Sequence, residues 1–309
     1  LEEVFGKHAP GAASVDQIGR FVDWNRRQLD ELFQWMGGEE EVEAALEPED
    51  DALLLRAWQL RVGPLGGRKL LRYRHIAIDE VQDFSPVEVQ VMLGCLDDHR
   101  SLTLAGDTQQ HLMEDSGFTS WGEFLAELGI PGTEVETLRV SYRSSREVID
   151  FALEVLGDLR EDEEPPEAQR SGPPVELFRF TDRGACVAFL SDALRRLADA
   201  EPLASVAVLT PSPELSEVYH EGLEAGDVPR VRRIVNQEFT FAPGIEVTEI
   251  EQVKGLEFDY VIVVDVTDAH YPDKDSARRK LHVAATRAVH QLWLTSVGTP
   301  SVLVGNVRS

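Results

Sequence analysis

Hydrophobic and polar positions follow two different patterns along the chain. Before about residue 70, apolar residues recur at helical spacing, which predicts amphipathic helices over residues 14–36 and 51–62. The acidic stretch 39–51 between these helices is typical of a solvated helix face. From about residue 75 onwards, short β-branched runs alternate with helical stretches, which predicts βαβ units and a mostly parallel sheet.

The second pattern supplies the predicted strands. Their residues are 75–79, 102–105, 175–180, 206–209, 245–248, 260–265 and 291–295. A break at Ile130-Pro131-Gly132 separates these strands into two groups. The sequence therefore predicts a helical segment over 1–70, an incomplete first α/β domain over 71–132, and a second α/β domain over 133–309.

Composition and charge narrow the classes of function. The chain has 309 residues, which favours about two domains at roughly 150 residues per domain. No run of about 18 apolar residues is present, so the sequence predicts no membrane-spanning helix. The net charge of −26 has the wrong sign for long-range attraction to nucleic acid, and it favours a protein partner or DNA contacts made by other parts. Cys95 and Cys186 lie in apolar runs and are predicted to be buried free thiols, which fits a cytoplasmic protein.

The strongest chemical signal is the segment Ile76–Asp83, in which a hydrophobic strand ends in adjacent carboxylates. In open α/β sheets, ligands bind beyond the carboxyl ends of the strands. Asp79 is placed there to hold Mg²⁺ through a hard oxygen ligand. Glu80 is placed to orient or deprotonate a water that attacks a phosphate. An acidic turn without function is the alternative interpretation of these residues.

A second strand end carries amide side chains. In Leu102–Gln110, a buried strand runs into a Gly-Asp turn, and Gln109 and Gln110 follow the turn. An amide can sense a phosphate oxygen without adding charge. This pattern alone is weak evidence for a functional site. Its position shortly after the acidic strand end strengthens that evidence.

These two segments resemble motifs II and III of the UvrD/Rep-like superfamily 1 helicases, and later segments continue in the family's order. Val140–Ser145 with Ile149 and Phe151 looks like motif IV. Val253–Asp259 and the predicted strand after it look like motif V, and Leu281–Ala288 followed by Leu292–Thr295 looks like motif VI. Five ordered motifs between residues 76 and 295 make a specific match. The resemblance implies a RecA-like, P-loop NTPase-type α/β fold with parallel sheets flanked by helices. It also implies that ATP and Mg²⁺ bind between two such domains.

The same resemblance implies roles for individual residues. The two strand-end carboxylates would hold Mg²⁺ and activate water, as their position also suggests. Gln110 would contact the γ-phosphate and couple it to movement. Arg143 and Arg287 would reach the γ-phosphate from the second domain, and Glu257 would approach the nucleotide sugar or the water shell of the metal.

Three departures from the family pattern bear on function. The sequence contains no G-x-x-x-x-G-K-[ST] phosphate-binding loop, so the chain by itself is predicted to bind ATP poorly and to hydrolyse little or none. Glu249 and Glu251 stand where the family commonly has Thr and His near the DNA strand, and acidic residues there would repel phosphate. In motif VI, His282 replaces a common Tyr.

These features together predict the C-terminal portion of an ATP-dependent helicase or translocase that moves on single-stranded or duplex DNA. Residues 152–248 alone separate motifs IV and V, which leaves no room for the large inserted subdomain of UvrD and Rep. This compact form looks more like the HelD-type branch, which is associated with bacterial RNA polymerase. The alternative interpretation is therefore an ATPase module that binds and remodels RNA polymerase.

Overall fold

The chain divides into two compact units, Leu1–Leu54 and Leu55–Ser309. The computed structural model describes residues 19–20, 22–24, 27, 50–107, 120–138, 140–160, 167–240 and 242–307. In the first unit, the described residues between 19 and 27 are helical. The rest of the helix predicted over 14–36 lies outside the described residues. The three-part division into 1–70, 71–132 and 133–309 stays a prediction.

Helix α1 spans Asp50–Arg61, which confirms the helix predicted over 51–62. No residue of this helix is buried. One polar side chain nevertheless links this helix to the helix that contains Val91, because Gln59 Nε2 donates a hydrogen bond to the carbonyl oxygen of Val91 over 2.8 Å. A Cβ at Gly94 would lie 2.4 Å from Gln59 Nε2, so the glycine leaves room for this side chain.

A two-stranded parallel sheet forms the first lobe, which we define as residues 73–130. Strands β1 (Tyr73–Ile78) and β2 (Leu96–Leu104) lie side by side. Helix α2 (Pro86–Leu93) makes the crossover between them, and helix α3 (Trp121–Glu127) follows. The parallel crossover brings the carboxyl ends of both strands to the same edge of the sheet. The buried core of this lobe consists of Ile78, Val81, Val89, Phe124 and Leu128.

The second lobe, residues 140–307, is built on a larger parallel sheet. Its strands are β3 (Val140–Ser141), β4 (Glu167–Ala168), β5 (Glu176–Phe180), β6 (Ser205–Thr210), β7 (Val231–Arg233), β8 (Gly244–Glu249), β9 (Phe258–Val263) and β10 (Ala288–Val297). Its helices are α4 (Arg146–Leu156), α5 (Arg183–Ala200), α6 (Pro213–Ala225) and α7 (Asp275–Thr286). Strands β5 to β10 form a six-stranded sheet in the order β5-β10-β9-β6-β8-β7, and β3 pairs with β4 alone.

Two hydrophobic clusters cover the two faces of the six-stranded sheet. On one face, Leu209, Val261 and Leu294 pack against α4 and α7. On the other face, Val208 and Ile262 pack against α5 and α6. Strands buried on both faces explain why the sequence shows continuous β-branched runs instead of alternation. The α/β class predicted from the sequence, with a parallel sheet flanked by helices, is confirmed.

All seven predicted strands are present, with ends that differ by up to six residues from the prediction. Among the described residues, three further short strands were not predicted. Strand β7 has two arginines among its three residues, and β3 and β4 have two residues each, so none of them carries a hydrophobic run. Cys95 and Cys186 are free and buried, as predicted, and burial raises the pKa of both thiols.

Candidate functional site

The first part of the candidate site is the carboxyl end of β1. Directly after the buried Ile78, the chain leaves the sheet through Asp79 and Glu80. The Asp79 side chain is exposed, and its Oδ1 accepts a hydrogen bond from the Glu80 backbone N–H over 2.9 Å. Glu80 adopts a left-handed conformation with φ of 51°, which non-glycine residues rarely adopt without a reason in the surrounding structure. The two carboxylates therefore follow the carboxyl end of β1 directly.

A buried amide joins this turn to the end of β2. The Nε2 atom of Gln82 donates a hydrogen bond to Glu80 Oε2 over 2.6 Å. The Oε1 atom of Gln82 accepts a hydrogen bond from the Asp107 backbone N–H over 3.0 Å. The acidic turn and the Gly-Asp turn, predicted separately from the sequence, therefore lie in contact. Gln110 lies outside the described residues, so its predicted contact stays a prediction.

In the second lobe, Arg143 lies between β3 and α4. Its guanidinium forms an ion pair with the Glu257 carboxylate, and both side chains are about half exposed. The backbone at Arg143 is also held in place, because Arg170 Nη2 donates to the carbonyl oxygens of Arg143 and Val289. The structure thus brings together two residues that the sequence placed in separate motifs.

Arg287 follows α7 and is almost completely buried, with 1% of its surface exposed. Its Nε donates to the carbonyl oxygen of Val283 over 3.1 Å, and its Nη1 donates to that of Leu256 over 3.2 Å. Its Nη2 donates to Thr286 Oγ1 over 3.1 Å. The guanidinium is therefore held in one orientation by the end of α7 and by the loop before β9.

The charges of both lobes act on Arg287. Burial lowers the pKa of the Arg287 guanidinium, and the nearby positive charge of Arg143 acts in the same direction. The carboxylates of Glu80, Asp107 and Glu257 act in the opposite direction and favour the charged form. Carboxylates of the first lobe therefore contribute to the electrostatic environment of Arg287, which belongs to the second lobe.

A direct ion pair also joins the two lobes. The Lys254 ammonium contacts the Asp83 carboxylate, and both side chains are largely shielded from solvent, with exposures of 16% and 31%. A cleft of about 1710 Å³ also lies between the lobes, and its walls include Asp107, Tyr142 and Thr286. Of the charged groups described above, Asp107 and Arg143 line the cleft, whereas the Asp79-Glu80 turn and Arg287 do not. The cleft is large enough for a nucleotide-sized ligand.

Two departures from the family pattern take on a different meaning in the structure. Glu249 is buried at the end of β8, where it accepts a hydrogen bond from Ser216 Oγ over 2.7 Å. Its carboxylate is therefore not presented to solvent, contrary to the expectation that it repels phosphate. Glu251 is exposed and forms an ion pair with Lys280. His282 is buried, and its Nδ1 lies 3.1 Å from the carbonyl oxygen of Ala152.

Comparisons with known proteins agree with the motif order. Residues 244–295, which contain motifs V and VI, match the model of the UvrD-like helicase C-terminal domain. The predicted resemblance to UvrD-like helicases is therefore confirmed for this segment. Across the described residues, no helix combines the length and the apolar character that a bilayer crossing requires.

Individual relatives are also named as UvrD-type helicases. The ATP-dependent DNA helicases UvrD2 of Mycobacterium tuberculosis and Mycobacterium bovis are 32% identical to this chain over 170 residues. The match covers 52% of this chain and 24% of those proteins, so the chain spans about a quarter of their length. None of these names supports the RNA polymerase alternative.

Solved structures with partial likeness are also described as helicases. The C-terminal domain of a possible DNA helicase from Lactobacillus plantarum is 28% identical with a TM-score of 0.45, covering 54% of this chain and 94% of that chain. An arterivirus helicase, nonstructural protein 10, is 16% identical with a TM-score of 0.38, covering 79% of this chain and 42% of that chain. The fold assignment rests on the strand topology instead.

Proposed function

We propose that this chain is the C-terminal motor portion of an ATP-dependent superfamily 1 DNA helicase or translocase, with ATP hydrolysed between two RecA-like lobes. One observation carries the proposal: Lys254 of the second lobe pairs with Asp83, three residues after Glu80, and Glu257, three residues after Lys254, pairs with Arg143. A nucleoside triphosphate with its metal needs carboxylates on one side and cations on the other. The match of residues 244–295 to a UvrD-like helicase domain supports the same function.

The two carboxylates and the two arginines have distinct proposed roles. Asp79 is proposed to hold Mg²⁺, and Glu80 to orient or deprotonate the attacking water while also lying near the metal. Arg143 and Arg287 are proposed to stabilise the negative charge that develops on the transferred phosphoryl group. Such arginines commonly contribute about 10³–10⁵ in rate, or roughly 4–7 kcal/mol of the barrier. Glu257, which holds Arg143, is proposed to approach the sugar or the water shell of the metal.

The residues of this chain fit a magnesium nucleotide in part. Among the described residues, no group of three or more His, Cys, Asp or Glu side chains forms a metal site of its own. Mg²⁺ commonly binds through one or two carboxylates together with substrate phosphates, and Asp79 and Glu80 can supply those carboxylates. The glycine-rich phosphate cradle has no counterpart in the sequence. We therefore expect this chain by itself to bind ATP poorly and to hydrolyse little or none.

The division of the site between two lobes suggests how hydrolysis is linked to movement. Because the arginines and the carboxylates belong to different lobes, the complete charge arrangement depends on the distance between the lobes. The ion pair between Lys254 and Asp83 is one contact that joins the two lobes directly. A change in lobe separation that depends on the nucleotide is a common way to convert hydrolysis into motion.

DNA is the proposed partner, and the cytoplasm is the proposed location. The DNA proposal rests on the helicase relatives and not on the overall charge, since the net charge of −26 does not favour long-range attraction to phosphates. Burial of Glu249 removes one acidic side chain from the surface next to motif V. DNA contacts would therefore depend on short-range groups.

The test is ATP hydrolysis by the full natural protein that contains this chain, measured with and without single-stranded DNA. We expect stimulation by DNA in the wild type, and a loss of at least about 10²-fold in kcat for Asp79→Asn and for Glu80→Gln. Glu217→Gln is the matched control. Glu217 lies on helix α6, is 58% exposed and pairs with Arg233 of strand β7. Wild-type turnover in both site variants would remove the proposed function.

The alternative is an ATPase module that acts on RNA polymerase. No described feature favours it specifically, so it stays a prediction from the sequence. The same assay distinguishes the two functions. Turnover that ignores DNA but changes when RNA polymerase is added would support the alternative and contradict the DNA motor.

A further inference from the structure

Gln82 has no part in the hydrolysis proposed above, yet its position is unusual. The side chain is completely buried at 0% exposure, between the turn that follows β1 and the turn that follows β2. Both polar atoms of the amide are used, one by the Glu80 carboxylate and the other by the Asp107 backbone. A buried amide with both ends hydrogen-bonded is fixed in position and in orientation.

The chemistry of the two partners fixes which way the amide points. A carboxylate only accepts hydrogen bonds, and a backbone N–H only donates them. The NH₂ group of Gln82 therefore faces Glu80, and its oxygen faces Asp107, at 2.6 Å and 3.0 Å respectively. A hydrogen bond to an ionised acceptor is shorter and stronger than one between neutral groups, as the shorter of these distances illustrates.

The backbone around the amide is shaped to receive it. A Cβ at Gly106 would lie 2.5 Å from Gln82 Oε1 and 2.9 Å from Val81 Cγ1, so a side chain at position 106 would displace the amide. Glu80 itself has the left-handed φ of 51°, which turns its carboxylate towards Gln82. The glycine at position 106 and the rare backbone conformation of Glu80 therefore both support the contact between Gln82 and Glu80.

We propose that Gln82 is the positioning residue for the Glu80 carboxylate. It holds that carboxylate in one orientation and connects the orientation to the turn after β2. This inference rests on the function proposed above, in which Glu80 acts on the attacking water. A shift of the Asp107 backbone then reaches Glu80 through a single side chain, so the two strand ends of the first lobe respond together.

The first variant is Gln82→Met in the full natural protein, which removes both hydrogen bonds while keeping an unbranched side chain of similar length. We expect kcat for ATP hydrolysis to fall about 10- to 100-fold, because a small misplacement of a reacting group has an effect of that size. The KM for ATP should stay within about 3-fold, since Glu80 is proposed to act on water and not on substrate binding.

Gln59→Met is the matched control. Gln59 is another shielded glutamine of the same region, with a 2.8 Å hydrogen bond to a backbone oxygen and a glycine, Gly94, against its amide. We expect this variant to lower the melting temperature as Gln82→Met does, with kcat per folded molecule unchanged. A purely structural role for Gln82 predicts the same result for both variants.

Gln82→Glu keeps the shape of the side chain and gives an independent measurement. The new carboxylate can still accept from the Asp107 backbone N–H, but in its ionised form it cannot donate to Glu80. We therefore expect kcat per folded molecule at pH 8 to fall at least as far as in Gln82→Met. Wild-type kcat in Gln82→Glu contradicts the positioning role, even if the Met variant fails to fold.

The outcomes separate this inference from the proposed function. If Gln82→Met turns over ATP like the wild type while Glu80→Gln is inactive, the positioning role is wrong and the proposed function stands. If Glu80→Gln is fully active, the proposed function fails, whatever the Gln82 variants do. A selective fall in kcat for Gln82→Met, together with an equal or larger fall for Gln82→Glu, supports both.

Discussion

Arg143 and Arg287 have the same proposed role but differ strongly in burial, so replacing each by Ala should separate catalysis from stability. Arg287 is 1% exposed, and two of its hydrogen bonds end on backbone oxygens of Val283 and Leu256. Arg143 is 48% exposed and pairs with Glu257, which is 41% exposed. Both variants should lose turnover, and only the buried one should lose much stability.

The expected magnitudes follow from burial. Hydrogen bonds from charged donors contribute about 1.5–3 kcal/mol each, so Arg287→Ala should lower the free energy of unfolding by roughly 3–5 kcal/mol. For a domain of this size, that corresponds to a fall in Tm of roughly 6–20 °C, at about 2–4 °C per kcal/mol. The exposed pair of Arg143 contributes at most about 1 kcal/mol, so Arg143→Ala should move Tm by roughly 4 °C or less.

The assay combines steady-state ATP hydrolysis at 25 °C with thermal unfolding of the full natural protein. In both variants we expect kcat to fall by about 10³-fold, measured below the onset of unfolding. If Arg143→Ala keeps wild-type turnover, the exposed arginine does not act on the phosphoryl group. If Arg287→Ala loses stability but keeps turnover per folded molecule, the buried arginine is structural, and its proposed role at the phosphoryl group is wrong.

Other contacts give separate tests. Gly106→Ala places a Cβ 2.5 Å from Gln82 Oε1 and should lower the free energy of unfolding by about 1–3 kcal/mol, as measured by urea denaturation. Lys254→Ala removes the ion pair with Asp83 that joins the lobes, and small-angle scattering should record a larger radius of gyration than in the wild type. Burial lowers the pKa of His282, so the unfolded chain takes up its proton first as pH falls, and stability should decline below about pH 6.5. Thermal melts of His282→Gln should lack that part of the decline.

The strands of the second lobe could be predicted because burial on both faces leaves a continuous apolar signature. Strand β6 is buried at five of its six positions, and its sequence is a β-branched run. Strand β7 could not be predicted in this way, because its three residues are partly exposed and two of them are arginines. Its pairing with β8 depends on tertiary contacts that no local pattern records.

The acidic strand end could also be predicted, since Asp79 and Glu80 follow a hydrophobic run directly. The contacts of these residues could not. The partner of Gln82 lies on the Asp107 turn, 25 residues away, and a local pattern gives no sign of that pairing. Glu249 was expected to repel phosphate because its identity suggested exposure. The structure places Ser216, which lies 33 residues earlier, beside it as a buried donor.

The strand order of the second lobe has a consequence for how the protein is made. Strand β10 lies between β5 and β9, with Trp293 opposite Glu176. During synthesis, at roughly 5–20 residues per second, β5 leaves the ribosome several seconds before its neighbour exists. Its open edge is a template for misplaced pairing throughout that interval. A premature stop before Ala288 would therefore remove an interior strand and leave β5 and β9 each with an unpaired edge.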